Sequence, residues 1–147
     1  MEIPKKLQEY ENFIEEKLKP DLREIETTLS LKSNQSKEWT ELKNILTVLR
    51  EFKEKDQDMN VQFNMGHEIA SFAKICDYET VYVDVGLGYL LEMDCDEANK
   101  YADIRLNLLQ KEINHLRQLA VNVKVHVKLA LLAIGELQNS LLDKFKR

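Results

Sequence analysis

The segment "VDVGLGYLLEMD", Val83 to Asp94, decides the fold of this chain because it has two opposed interpretations. Gly86 and Gly88 flank one leucine, and residues typical of β-strands lie on both sides. A phosphate-binding loop needs either a third glycine that opens a helix or a Gly-Lys-Ser/Thr sequence. Neither is present, and "YLLEMD" is typical of another strand. We therefore predict that the two glycines form a tight turn, because glycine tolerates the backbone angles that such turns require.

Further strands are predicted on both sides of this turn. Val81 to Val85 alternates apolar and less apolar residues, the period of a half-buried strand, and Tyr89 to Met93 forms the returning strand. Upstream, Val61 to Met65 alternates in the same way. A turn at Gly66-His67 then leads into a weaker strand, Ile69 to Ile75. The sequence thus predicts two successive β-hairpins over residues 59–93.

These hairpins leave strand edges without a partner inside the chain. Four short strands cannot cover themselves, and open edges invite pairing with other chains. We predict that the isolated chain is not a stable globule and that the hairpins are its oligomerisation surface. The residues predicted to form that surface are Val61, Phe63, Met65, Val81, Val83, Val85, Gly86, Gly88, Tyr89 and Leu91.

A long helix is predicted over residues 95–145, after the hairpins. Its apolar residues are spaced by alternating fours and threes from Ala102 to Leu141, which is the repeat of a coiled coil. Asp94 and Glu97 have the spacing of a capping box that starts such a helix. The predicted seam, the stripe along which this helix meets its partner, contains Leu106, Leu109, Ile113, Leu116, Val123, Val127 and Ile134.

A helix of nearly equal length is predicted over residues 4–55, before the hairpins. Pro20 should kink or restart it, because proline lacks the backbone N–H and crowds the preceding turn. Two matched helices most simply lie antiparallel. The predicted fold class is therefore mainly α with a small β part: a long antiparallel two-helix coiled coil joined by two β-hairpins, forming one domain over residues 1–147.

This arrangement brings the two chain termini together at one end of the helix pair, here called the tip. The tip contains more apolar residues than a two-helix seam can cover, so some of them should face water and contact client proteins. The alternative is that they only hold the helix ends together. The predicted client-contact residues are Leu7, Tyr10, Phe13, Ile14, Leu137, Leu141, Leu142 and Phe145.

Composition and motifs give little support to catalysis. The net charge of −5 argues against direct binding of nucleic acid, which needs a basic surface. No continuous apolar run reaches membrane-spanning length, and no signal-peptide core is predicted. Neither the three histidines nor the two cysteines, Cys76 and Cys95, have metal-ligand spacing. We predict no catalytic residue, metal or cofactor, and neither nucleic acid nor membrane as a direct partner.

The order helix–hairpin–hairpin–helix resembles the α-type subunits of the prefoldin family, over nearly the whole chain. The most specific stretch is "VYVDVGLGYLLEMDCDEANKY", Val81 to Tyr101, with a Gly-x-Gly-Tyr turn and an acidic start to the second helix. The two hairpins place the resemblance with the α type, since β-type subunits have one hairpin.

The resemblance implies a hetero-hexamer of two α-type and four β-type subunits. In that family the hairpins build β-barrels and the coiled coils hold non-native clients such as actin and tubulin. It also implies a prefoldin-like module that contains a URI-like α-type subunit and is linked to complex assembly and transcription. We predict a non-enzymatic co-chaperone subunit of that module, cytoplasmic and nuclear. The alternatives are an ordinary α-type subunit of cytosolic prefoldin and a purely structural coiled-coil scaffold.

Overall fold

The computed structural model describes residues 2–145 of the chain. Two long helical stretches are joined by two antiparallel hairpins, so the predicted fold class is confirmed. In chain order the elements are α1 (Glu2–Phe13), a π-helical turn (Ile14–Leu18), α2 (Lys19–Glu54), β1 (Met59–Gly66), β2 (Ile69–Ile75), β3 (Thr80–Gly86), β4 (Tyr89–Asp94) and α3 (Cys95–Phe145).

The interruption predicted at Pro20 takes the form of a π-helical turn just before it. The Lys19 N–H donates to the carbonyl oxygen of Ile14, five residues back. This wider turn accommodates proline, which has no N–H to donate and whose ring crowds the turn before it. Pro20 then lies in the first turn of α2, a position that tolerates it. Helical backbone therefore continues on both sides of Pro20.

The two hairpins form two separate two-stranded antiparallel sheets, β1–β2 and β3–β4. Both registers shift one residue before the turn, so Met65 and Val85 lie in β-bulges. The predicted alternation is therefore wrong at Met65 and Val85, because a bulge adds one residue to one strand and breaks the two-residue period.

The predicted turn at Gly86–Gly88 is confirmed. Both central residues, Leu87 and Gly88, have positive φ, the pattern of a two-residue type I′ turn. The Gly86 N–H donates to the carboxylate of Asp84 at 2.8 Å. Because the next element is β4 and not a helix, the loop has no helix N-terminus to hold a phosphate group.

The first hairpin repeats this design one residue later than predicted. Its central turn residues are His67 and Glu68, both with positive φ, and Gly66 is the last residue of β1. The Gly66 N–H donates to the side-chain oxygen of Asn64 at 2.9 Å. An Asx residue two positions before a glycine thus organises both turns.

The chain divides into two compact units, where the sequence predicted one domain. Unit 1 combines residues up to Asn34 with residues from Leu109 onward. Its helices are antiparallel, because Glu26 pairs with Lys124 at 3.2 Å and Lys32 with Glu112 at 2.7 Å. Its buried core consists of Ile14, Leu18, Ala130 and Ile134.

Unit 2 spans Gln35–Leu108 and contains the hairpins. Lys43 pairs with Asp103 at 2.5 Å, and Arg50 pairs with Asp96, so these helix segments are also antiparallel. Trp39 meets Tyr101 edge to face at 5.5 Å, and the Arg105 guanidinium lies over the Trp39 ring. The buried core of unit 2 consists of Leu46, Val83, Met93 and Ala98.

The start of α3 is fixed by the predicted capping box. The Glu97 N–H donates to the Asp94 carboxylate at 2.7 Å, and the Asp94 N–H donates to the Glu97 carboxylate at 3.2 Å. Two helix-end donors are satisfied, and the negative side chains suit the positive end of the helix dipole.

Candidate functional site

The second hairpin packs one of its faces against the helices of its own chain. Val83 is 4% exposed and lies in the unit 2 core with Met93, and Val81 packs against that core. The prediction that Val83 faces another subunit is therefore wrong, whereas Val81 is half-buried and its contact with another subunit stays a prediction. Strand alternation identifies an apolar face, but it cannot tell whether the chain's own helices or a partner will cover it.

The other surface of the second hairpin is apolar and open. Leu87, at the turn, is 97% exposed, and it holds a left-handed backbone conformation that non-glycine residues rarely adopt. Tyr82 and Leu90 are exposed on this surface; they were not predicted, because both alternate with the residues predicted to form the interface. Two predicted residues, Tyr89 and Leu91, are also exposed, but they lie on the same face as Val83, since Leu91 pairs with Val83.

Within the described residues 2–145, the first hairpin contributes no side chain to the buried core of either unit. Phe72, which sequence analysis missed in the weaker strand, is 83% exposed, and Phe63 and Met65 are also exposed. Val61 is half-buried. Phe63 pairs with Ser71 in the register, so Phe63 and the adjacent Phe72 point to opposite faces. Both faces of this hairpin therefore expose aromatic side chains.

Polar contacts hold the base of the first hairpin. The Met59 N–H donates to the Tyr78 hydroxyl at 2.9 Å, and that hydroxyl donates to the Gln57 carbonyl at 3.0 Å. Lys74 pairs with the Asp58 carboxylate at 2.5 Å, and this hydrogen bond raises the pKa of Lys74. These contacts fix where the hairpin begins but bury little apolar surface.

The predicted seam residues of α3 lie at protected positions. Leu109, Ile113 and Ile134 are buried. The other four are half-buried: Leu106, Leu116, Val123 and Val127.

The predicted client-contact residues differ in their exposure to solvent. Tyr10, Phe13 and Leu142 are exposed, as a contact surface requires. Ile14 is 5% exposed and belongs to the unit 1 core, so its prediction as a contact residue is wrong. Adjacent residues of a helix point in different directions, so only one of Phe13 and Ile14 can lie in the seam between two helices. Ile14 is the buried one, and Phe13 is exposed. The half-buried members are Leu7, Leu137 and Leu141. The Phe145 side chain lies outside the described part.

An open depression of about 730 Å³ lies at the base of the hairpins, with charged residues on its walls. Lys53 and Glu79 form an ion pair there, and the Cys95 thiol donates to the Tyr78 carbonyl at 3.5 Å. Within residues 2–145, no group of three or more His, Cys, Asp or Glu residues could hold a metal ion. The charges in this depression instead join α2 to the start of α3 and the hairpins.

One helix, α3, is long and apolar enough to cross a membrane by length and composition alone, and one such helix is weak evidence for a membrane span. The window that meets this criterion is 17% buried. No unbroken apolar run of that length is present, because Asn122, Lys124, His126 and Lys128 interrupt the stretch from Leu119 to Ile134. This part of α3 carries apolar side chains on the face that packs against the other helix and also on exposed faces.

Two long antiparallel helical stretches joined by two hairpins with exposed apolar surfaces define a prefoldin-type subunit. The sequence profile of the prefoldin subunit matches residues 22–139, well over half of the chain. The chain therefore belongs to the prefoldin family, and the predicted resemblance is confirmed.

Within that family the chain is similar to proteins named UXT. It is 29% identical to human Protein UXT over 133 residues, which cover 90% of this chain and 83% of that protein. It is 26% identical to the Protein UXT homolog of Nematostella vectensis over 137 residues, which cover 93% and 86%. The cryo-EM structure of filamentous PFD from Methanocaldococcus jannaschii matches 88% of this chain and 98% of its own chain, with 18% identity and a TM-score of 0.43.

Proposed function

We propose that this chain is a non-enzymatic subunit of a prefoldin-like co-chaperone complex and that it assembles through its hairpins. The observation that carries the proposal is the first hairpin, whose two faces expose Phe63 and Phe72 outside both cores. Isolated two-stranded hairpins are marginal in water, and exposed strand edges pair with other strands. Strands from partner subunits would cover both the faces and the edges.

The kind of partner is proposed from the family to which the chain belongs. Prefoldin-family membership and the similarity to UXT proteins support β-type subunits and a URI-like α-type subunit as partners in a hetero-hexamer. We propose a cytoplasmic and nuclear location and a role beside transcription-related proteins, since the resemblance to the prefoldin-like module implies both. Neither direct nucleic-acid binding nor membrane binding is part of this proposal.

The tip of the helix pair is the proposed contact site for non-native clients. Tyr10 and Phe13 on α1 and Leu142 on α3 expose large apolar side chains within unit 1. Burial of apolar surface is non-directional, so such a site can accept many unfolded sequences. This property suits a protein that holds chains without a fixed structure.

The variant Phe13→Ser with Leu142→Ser is expected to leave assembly intact and to weaken protection of a denatured client against aggregation. Both side chains are exposed, so the helix pair loses little core packing. The measurement is light scattering of a denatured client diluted into buffer with the complex. Full protection by a fully assembled variant complex would contradict client contact at the tip and favour the scaffold.

Two alternative functions remain, and each has its own observable. An ordinary α-type subunit of cytosolic prefoldin would co-purify with the cytosolic α-type partner and deliver actin- or tubulin-like clients to a chaperonin. A purely structural scaffold would assemble but protect no client. The exposed tip residues favour a chaperone over the scaffold.

A further inference from the structure

The two hairpins differ in charge. Residues 59–75, which form the first hairpin, contain one acidic and one basic residue, Glu68 and Lys74, besides one histidine. Residues 76–99, which include the second hairpin, contain no lysine, arginine or histidine. Their acidic residues are seven: Asp77, Glu79, Asp84, Glu92, Asp94, Asp96 and Glu97. The first hairpin is therefore balanced in charge, whereas the second is negative.

Two cations of α2 neutralise part of this charge at the base of the second hairpin. The Lys53 amino group lies 3.3 Å from the Glu79 carboxylate, and Arg50 pairs with Asp96. Both acidic residues lie just outside the strands, one before β3 and one after β4. These ion pairs therefore leave the charge on the strands themselves without a partner.

The open face of the second hairpin, opposite the face that buries Val83, carries charge as well as apolar surface. Tyr82 pairs with Glu92 across the strands and Asp84 pairs with Leu90, so these four side chains share one face. All four are exposed, and the two apolar members are each 67% exposed. Within the described residues, neither carboxylate has an ion pair. We call these four residues the acidic face.

The apolar and the charged side chains of the acidic face lie on crossed diagonals. Tyr82 and Leu90 occupy one diagonal of the two cross-strand pairs, and Asp84 and Glu92 occupy the other. Diagonal neighbours of this kind lie about 7–8 Å apart, so a carboxylate lies on each side of an apolar centre. Asp84 is also held in place, because its carboxylate accepts the Gly86 N–H at 2.8 Å. The complement of such a face is an apolar surface flanked by positive charge.

We propose that the acidic face binds a partner subunit through an apolar surface that carries lysine or arginine, whereas the first hairpin binds an uncharged surface. The proposal rests on the proposed assembly through the hairpins and adds the charge that each hairpin selects. Arginine fits best, because a guanidinium can pair with a carboxylate and stack on the Tyr82 ring. Apolar burial supplies affinity, and the carboxylates select the partner and speed association.

The same charge argues against other occupants. Anionic membranes and nucleic acids would be repelled by Asp84 and Glu92, and a second copy of the acidic face would bring like charges together. A non-native client needs only apolar surface, which gives the two carboxylates no role. A positively charged surface of a partner subunit uses both parts of the face.

The test compares variants of the tagged chain that are co-expressed with β-type prefoldin subunits, and each co-purified subunit is quantified by mass spectrometry. Glu92→Lys is expected to lower the yield of at least one subunit about fivefold in about 50 mM salt, because it reverses one selecting charge. Glu92→Gln, which keeps the side-chain shape, is expected to lower it about twofold. Both differences should vanish in about 500 mM salt, because salt screens exposed charges.

Two further variants separate the acidic face from general effects. Glu41→Lys makes the same charge change at an exposed position of α2 within unit 2, and it should retain every subunit. Tyr82→Thr with Leu90→Thr removes the apolar diagonal but keeps residues that suit a strand. This double variant is expected to lower the yield by about tenfold or more at both salt concentrations, because apolar contacts are not screened. Its melting curve should change little, since both side chains are exposed.

Four results would overturn the proposal. Unchanged yields for both Glu92 variants in low salt would show that the charge selects nothing, and an equal loss in Glu41→Lys would show a general charge effect. Self-association that Glu92→Lys abolishes would assign the acidic face to a second copy. Weaker client protection by a fully assembled Glu92→Lys complex would assign it to clients.

Failure of this proposal is distinguishable from failure of the proposed function. Full yields for the Glu92 variants, together with loss of subunits from the Phe63→Ser, Phe72→Ser variant, would reject the acidic face and leave assembly through the hairpins standing. Full yields for all of these variants would contradict both.

Discussion

Replacing Val123 by aspartate is expected to separate the helices of unit 1. Val123 packs against the core formed by Ile14, Leu18, Ala130 and Ile134. The substitution removes a core side chain and places a charge among apolar groups, which costs about 3 kcal/mol or more. The melting midpoint, followed by helical circular dichroism of the assembled protein, should fall by about 6 °C or more.

The control for this prediction is Val121→Asp, two residues away on the same helix. Val121 is exposed, so aspartate there keeps its water contacts and should change the stability by less than about 0.5 kcal/mol. The two variants have identical helix propensity changes, and their difference therefore reports burial alone. Equal melting curves for both variants would contradict the seam assignment of Val123.

The double variant Phe63→Ser with Phe72→Ser is expected to release the chain from its partner subunits. The two phenylalanines lie on opposite faces of the first hairpin, and neither belongs to a core of this chain. Burying each against a partner would contribute about 1.5–3 kcal/mol, so losing both should lower association by more than about tenfold. The measurement is the amount of β-type subunit that co-purifies with the tagged chain.

A matched double variant, Leu31→Ser with Ile45→Ser, removes two exposed apolar side chains from α2. It should retain the partner subunits, because these residues lie outside the hairpins. Undiminished co-purification of Phe63→Ser with Phe72→Ser would show that the first hairpin is not an assembly surface. A similar loss with the α2 variant would point to general insolubility instead.

The helices could be predicted from local signals. The Asp94–Glu97 capping box marks the start of α3, and the spacing of fours and threes marks the residues that lie against the partner helix. Each signal depends on a few neighbouring residues. Pro20 signalled an interruption, but the sequence did not show that a π-helical turn over Ile14–Leu18 would resolve it, because a kink or a restart accommodates proline as well.

The faces of the hairpins could not be predicted in the same way. Val83 and Phe63 have similar alternating surroundings, yet one lies in the core of unit 2 and the other is exposed. The difference arises because Leu46, distant in sequence, covers the second hairpin together with Ala98, while neither core includes a residue of the first hairpin within the described part of the chain.

Native mass spectrometry of the chain co-expressed with β-type prefoldin subunits tests the central claim, assembly through the hairpins, most directly. We expect the 17.3 kDa chain to appear within a hetero-oligomer, with no stable population of free monomer. We also expect the Phe63→Ser, Phe72→Ser variant to shift the chain out of that species. A stable, soluble monomer that ignores the β-type subunits would contradict assembly through the hairpins.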